Sequence, residues 1–179
     1  MCLSISITSL FFTLALVANQ PNEVIKIFSE NYIIDNLSIV MKILTLLFCI
    51  LVLFSSNEYI KINNIDKVEY FVITLSSVLG MLIMISSYDL ILFYLGLELQ
   101  SLCLYILASF KRNNERSTEA GLKYFILSAL ATGLLLYGCS LIYGFTGTTN
   151  FSEIYNSLLS IKSLNLGLIF GLVFVLVGL

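Results

Sequence analysis

Apolar residues run along this chain in long unbroken stretches, parted by short polar ones. Six stretches reach or approach the ~20 residues that a helix needs to cross hydrocarbon. They cover residues 2–18, 37–56, 70–87, 89–110, 120–144 and 161–179. The apolar positions are continuous instead of alternating, so they predict helices and not the strands of a barrel. The connections are residues 19–36, 57–69, a tight turn near Tyr88, 111–119 and 145–160. The pattern predicts an all-α, polytopic transmembrane bundle of about six spanning helices. It reads as one transmembrane domain over residues 1–179, with no soluble domain, linker or tandem repeat.

Composition agrees. Of 179 residues, 59% are hydrophobic and 11% charged, with a mean hydropathy of +0.99. A soluble domain is usually about 45–50% apolar and about 25% charged. The first eighteen residues lack the positive start of a signal peptide, since no Lys or Arg precedes Lys26, and they read as a retained helix. Positive charge gives the orientation. Connections on the amino-terminal side hold Lys61, Lys67, Lys111, Arg112 and Arg116. The other side holds Lys26, with Lys162 at the edge of the last span. The amino terminus is therefore expected on the cytoplasmic or matrix side.

The net charge of −2 and the lack of a basic patch argue against nucleic acid. Histidine is absent, which removes histidine proton relays, histidine-ligated haem and most metal sites. The four cysteines lie far apart, form no C-x-x-C pair, and read as small buried thiols. No Ser-His-Asp set, phosphate-binding loop or metal cluster is present, so no catalytic residue and no cofactor site is expected in this chain. Ile, Asn, Phe, Tyr and Lys are abundant, which fits the AT-biased coding common in organelle genomes.

The chemistry that stands out is Glu98, the only charge in the run LILFYLGLELQSLCLYILASF. A carboxylate at the middle of a spanning helix costs roughly 2.5–3.5 kcal/mol on insertion scales, and by default it marks a proton or ion site or half of an ion pair. Burial favours the neutral acid and a nearby cation favours the carboxylate, so a carboxyl pulled both ways suits proton binding and release. Positions three and four apart share its face: Tyr94, Ser101, Tyr105 and Ser109. These hydroxyls read either as a water-supporting stripe or as ordinary interhelical hydrogen bonding. Lys123 stands about one turn inside the next helix, where a long side chain can also snorkel. At 1.5 Å per residue its axial gap to Glu98 is about 13 Å, too long for a direct bridge. Glu119 is the expected local partner of Lys123, four residues away. Lys42 reads as a snorkelling lysine, Asp89 as a helix cap, and Gly167 with Gly171 as a weak close-packing spacing.

The stretches DLILFYLGLELQSLCLYILASF and RSTEAGLKYFILSALATGLLLYGCSLIYGFTGTTNF strongly resemble the antiporter-like membrane-arm subunits of respiratory complex I, namely NADH dehydrogenase subunit 2 of mitochondria and its bacterial counterpart. The likeness is specific over GLELQSL, RSTEAGLKYF and YGFTGTTNF, fainter over residues 35–87, and poor over residues 1–34. It implies an antiporter-like fold and proton pumping coupled to quinone reduction by NADH. It also implies no cofactor in this chain, FMN, iron–sulfur clusters and ubiquinone belonging to the wider complex.

In the family, the glutamate of the GLEL motif (Glu98) and the lysine of EAGLKYF (Lys123) belong to a hydrophilic axis. Tyr94, Ser101 and Tyr105 are then the supporting polar groups. Location in the mitochondrial inner membrane, amino terminus in the matrix, follows from the same likeness. So do partners among other membrane-arm subunits and lipids. Members are usually at least twice as long, with one more helix near the start and a broken helix just past this chain's last span. A second polypeptide that completes the fold is therefore expected, as is a cation for Glu98 from that part. The alternatives are a subunit of a multisubunit sodium/proton antiporter and a non-conducting membrane scaffold.

Overall fold

A computed structural model describes residues 2–21, 23–62, 68–160 and 166–179. Among these residues the order is α1 (Cys2–Ala18), β1 (Ile25–Ile27), β2 (Tyr32–Ile34), α2 (Asn36–Ile62), α3 (Val68–Ser86), α4 (Leu90–Ala108), α5 (Glu115–Thr146), α6 (Phe151–Ser160) and α7 (Leu166–Gly178). The all-α polytopic bundle is as expected. Four helices, α2 to α5, are long and apolar enough to cross a membrane, whereas α1 and α7 are apolar but shorter. Residues 161–165, where the last span was expected to begin, lie outside the described residues, as do Lys67 and Lys162.

Three departures from the sequence reading have clear causes. Residues 19–36 are not plain connection: β1 and β2 pair antiparallel, Ile25 opposite Ile34. Both strands are rich in β-branched and aromatic residues, and they turn through Phe28, Ser29 and Glu30, all at positive φ. Lys26 bonds Glu30 at 2.8 Å across this turn, which raises the Lys26 ammonium above its ordinary pKa. Next, α6 occupies a stretch read as connection. It is amphipathic and ten residues long, burying Ile154 and exposing Tyr155 and Leu159, so a search for continuous apolar runs passes over it. Finally, α5 begins at Glu115 and not at Ala120, because the Asn114 side chain caps it by accepting from the Arg116 N–H at 3.1 Å.

The helices pack in sequence: α1 on α2, α2 on α3, α3 on α4, α4 on α5, and α5 on α7. One core gathers Ile7 and Leu10 of α1 with Leu46 and Ile50 of α2 and Val78 of α3. Another joins Leu90 of α4 to Leu135, Cys139 and Ile142 of α5 and Ile154 of α6. Between them, α3 and α4 meet backbone to backbone at Gly80 and Gly96.

At the hairpin end, three connections are tied together. Tyr32 bridges Ser87, and Asp89 bridges Asn150. The Tyr88 N–H donates to the Asn31 carbonyl at 2.8 Å, and the Leu90 N–H to the Thr149 carbonyl at 3.0 Å. The expected cap is present: Asp89 accepts from the Ile91 N–H at 2.8 Å and the Leu92 N–H at 3.3 Å, while the Thr149 hydroxyl donates to its other oxygen. The T-G-T-T-N run thus has a structural use, since it supplies the partner that closes the cap. Asp89→Ala is expected to lower stability by about 1–2 kcal/mol, the range for a lost N-cap. Asp89→Asn should recover much of it in thermal unfolding of the purified protein.

Candidate functional site

Glu98 stands half-buried at the middle of α4. Helix direction explains its surroundings. Gly96 and Gln100 face α3, whose Gly80 lies against both. Tyr94 and Leu97 pack on the core shared with α5. Glu98 projects near the edge of that contact, beside Ile91, Leu95 and Leu102, which are 49%, 55% and 45% exposed. The carboxyl therefore sits at the margin of an uncovered apolar face.

Of the expected stripe, one hydroxyl reaches the carboxyl. The Tyr94 phenol donates to Glu98 Oε1 at 3.2 Å, one turn up the same helix. Ser101 instead donates to the Glu98 backbone carbonyl at 3.0 Å, and Ser109 to the Tyr105 carbonyl at 3.1 Å. Ser hydroxyls within reach of an i−3 or i−4 carbonyl bond there readily. Tyr105 is buried and turns toward α5, where its hydroxyl bonds the Ser128 Oγ and its ring meets Tyr124 edge-on. Sequence reasoning missed Ser128. The available signal was a serine among α5 residues level with Tyr105 in an antiparallel pair.

Lys123 does not meet Glu98. It forms the expected pair with Glu119 at 2.6 Å, and both side chains are largely exposed, at 72% and 62%. Gly121 lies against Ser109, and Ser128 against Tyr105. This register sets Lys123 level with about residue 108 of α4, roughly 15 Å along the axis from Glu98. Among the described residues no Lys or Arg lies within 4 Å of Glu98.

Lys42 corrects its expected snorkelling. It is 3% exposed, held inside by the hairpin. Its ammonium donates to the Tyr32 phenol oxygen at 3.0 Å and lies 5.0 Å from that ring's centre. The hairpin, not visible in the apolar pattern, is the reason. Gly171 is used as expected, set against Gly138 of α5, while Gly167 faces the Phe145 ring. Cys2, Cys49, Cys103 and Cys139 are free thiols, the last two buried. Among the described residues no group of three or more acidic or thiol side chains is placed to hold a metal.

Comparison with known proteins places this geometry. Residues 87–179 match the transmembrane family described as NADH:quinone oxidoreductase/Mrp antiporter. Residues 1–85 match the family of the NADH-ubiquinone oxidoreductase chain 4 amino terminus. The chain belongs to the NADH:quinone oxidoreductase/Mrp antiporter transmembrane family. NADH-quinone oxidoreductase subunit N of Pelagibacter ubique is 54% identical over 177 residues, 98% of this chain and 37% of that protein. Subunit N of Parvibaculum lavamentivorans is 48% identical over 160 residues, 89% of this chain and 33% of that protein. The Pelagibacter alignment, at 98% of the chain, extends into residues 1–34, where the sequence alone shows a poor likeness.

Among solved structures, a chain of respiratory complex I from Thermus thermophilus with bound aureothin has a TM-score of 0.77 and 27% identity. It covers 99% of this chain and 37% of that one. A chain of an archaeal membrane-bound sulfane sulfur reductase shares the fold, with a TM-score of 0.71 and 20% identity. The chain thus spans about a third of the length of the relatives it matches.

Proposed function

We propose that this chain is a proton-translocating part of the membrane arm of an NADH:quinone oxidoreductase. It would contribute Glu98, and at the amino-terminal side Lys123, to a polar axis through the bundle. The observation that carries this reading is the placement of Glu98: an ionisable group at mid-membrane depth, bonded to Tyr94, at the edge of a face left uncovered. Such a residue is costly to insert and marks an ion or proton path by default. The identity to subunit N of bacterial enzymes supports complex I over an antiporter complex, although the family embraces both.

On this reading the chain performs no redox chemistry. FMN, iron–sulfur clusters and ubiquinone are held by other subunits. Further membrane-arm subunits and lipids surround it. The charge bias puts the amino terminus on the matrix side of a mitochondrial inner membrane, or on the cytoplasmic side of a bacterial one.

Purification of the tagged chain from its own membranes tests the assignment. Flavin and iron–sulfur subunits, with NADH:quinone reductase activity, are expected to copurify. Recovery with antiporter subunits alone would overturn it, and recovery of an assembly that reduces quinone without moving protons would favour the scaffold.

A further inference from the structure

Lys42 and Asp89 are the buried charged side chains among the described residues, and Asp89 is taken up by its helix cap. The surroundings of Lys42 are polar but lack an anion. Tyr32 of β2 accepts its hydrogen bond. Asp35, at the start of its own helix, is engaged by the Ser38 N–H at 2.8 Å. Ser87, just past α3, bridges Tyr32, and Ser86 at the end of α3 is wholly buried with a hydroxyl that has no partner among the described residues. The sole ionisable side chain of α1 is Cys2, at its far end. Lys26 and Glu30 of the hairpin pair with each other. Among the described residues no carboxylate lies within 4 Å of the Lys42 ammonium.

The second observation is a cavity. A space of about 510 Å³ lies at the hairpin end, lined in part by Asn31, Tyr32, Asp89 and Thr149. Its wall on α4 is formed by Ile91, Leu92 and Leu95. Ile91 and Leu95 stand seven and three residues before Glu98, on its face of the helix. The space opens outward at the hairpin end and is mainly apolar, with Asn31, Tyr32, Asp89 and Thr149 as its polar residues. Tyr32 both accepts the Lys42 hydrogen bond and lines this cavity.

We propose that Lys42 is a second proton-binding group of this bundle, exchanging protons with the hairpin-side solution through the Tyr32 hydroxyl and the cavity that it lines. The ammonium gives a proton to the phenol oxygen as the phenol gives its own to cavity water. A neutral amine, an intact phenol and a hydronium ion result, and the reverse step restores the ammonium. The inference rests on the proton-translocating reading for its role, but the site has a readout of its own.

That readout is hydrogen–deuterium exchange of the Lys42 ammonium in the intact complex, followed by infrared difference spectroscopy with isotope-labelled lysine and assigned by the loss of its signal in Lys42→Arg. The ammonium is expected to exchange promptly in the native complex and more slowly in Tyr32→Phe. A Lys42 ammonium that does not exchange, or exchanges equally fast in Tyr32→Phe, overturns the proposal.

Proton movement gives the second arm. Lys42→Met is expected to slow NADH-driven acidification by about a hundredfold, the lower end of what loss of a positioned acid–base group costs. Lys42→Arg keeps the charge yet cannot release the proton, so it stays slow as well. A purely structural lysine would be rescued by Arg. Should Glu98→Gln pump normally, the functional reading falls. Should Glu98→Gln stop pumping while Lys42→Met does not, only the present proposal falls. Where Lys42→Met fails to assemble, ammonium exchange in the native complex and in Tyr32→Phe decides.

Discussion

Glu98→Gln is expected to slow proton translocation by the assembled complex about a hundredfold or more, with assembly unchanged. The substitution isolates one property. Gln keeps the length of Glu, and its amide oxygen still accepts the Tyr94 hydroxyl that lies 3.2 Å from the native carboxyl. The α4 backbone bonds and the contact between Gly96 and α3 do not involve the carboxyl. What disappears is the capacity to hold and release a proton, together with the roughly 2.5–3.5 kcal/mol that a mid-membrane carboxylate costs on insertion scales. The neutral variant should therefore be at least as stable as the parent. The measurement is acidification per electron pair in sealed vesicles, set against the flavin and iron–sulfur content of the same preparation. Normal acidification with normal assembly would remove Glu98 from any proton path and leave the chain a scaffold.

The legible parts of this fold are those that a bilayer dictates. Continuous apolar runs gave α2 to α5 because hydrocarbon leaves the backbone no partner outside a helix. The Asp89 cap and the Lys123–Glu119 pair were legible because both depend on spacings of a few residues within one helix. The hairpin and α6 were not, since neither crosses the membrane and neither makes a long apolar run.

That gap spread to the site. With β2 unseen, nothing could show that Tyr32 covers Lys42, so a lysine near a helix start was read as reaching for water. The hydroxyl stripe was only half legible. Helical periodicity put Tyr94, Ser101 and Tyr105 on one face correctly. Periodicity, however, says nothing of competition from the helix's own carbonyls, which take Ser101, or from α5, which takes Tyr105. The antiporter-like resemblance pointed to Glu98 from the motif alone. The structure adds the uncovered face beside it and the register that keeps Lys123 away.

Gly80→Val is expected to destabilise the bundle by about 3 kcal/mol, the upper end for forcing bulk into a packed interior. A Cβ at position 80 would stand 2.8 Å from both the Gln100 backbone nitrogen and the Gly96 carbonyl oxygen. Neither is the movable end of a side chain, so the two helices must separate. Gly96 shows the same closeness in reverse, its added Cβ falling 2.9 Å from the Met84 nitrogen. Parting α3 from α4 also strains the turn between them, which anchors Tyr32 through Ser87 and α6 through Tyr88. In membranes, where lipid tails are as apolar as the side chains, close backbone contact of this kind drives helix association.

A built-in control exists at Gly133, where an added Cβ meets nothing within 4 Å. Gly133→Ala should leave the unfolding midpoint unchanged or raise stability by about 0.5–1 kcal/mol, since Gly is the poorer helix former. Thermal unfolding of both variants in the same detergent compares them directly. If Gly80→Val melts with the parent, α3 and α4 do not touch at this point. The orientation of α4 that puts Glu98 at the edge of the open face would then have no basis.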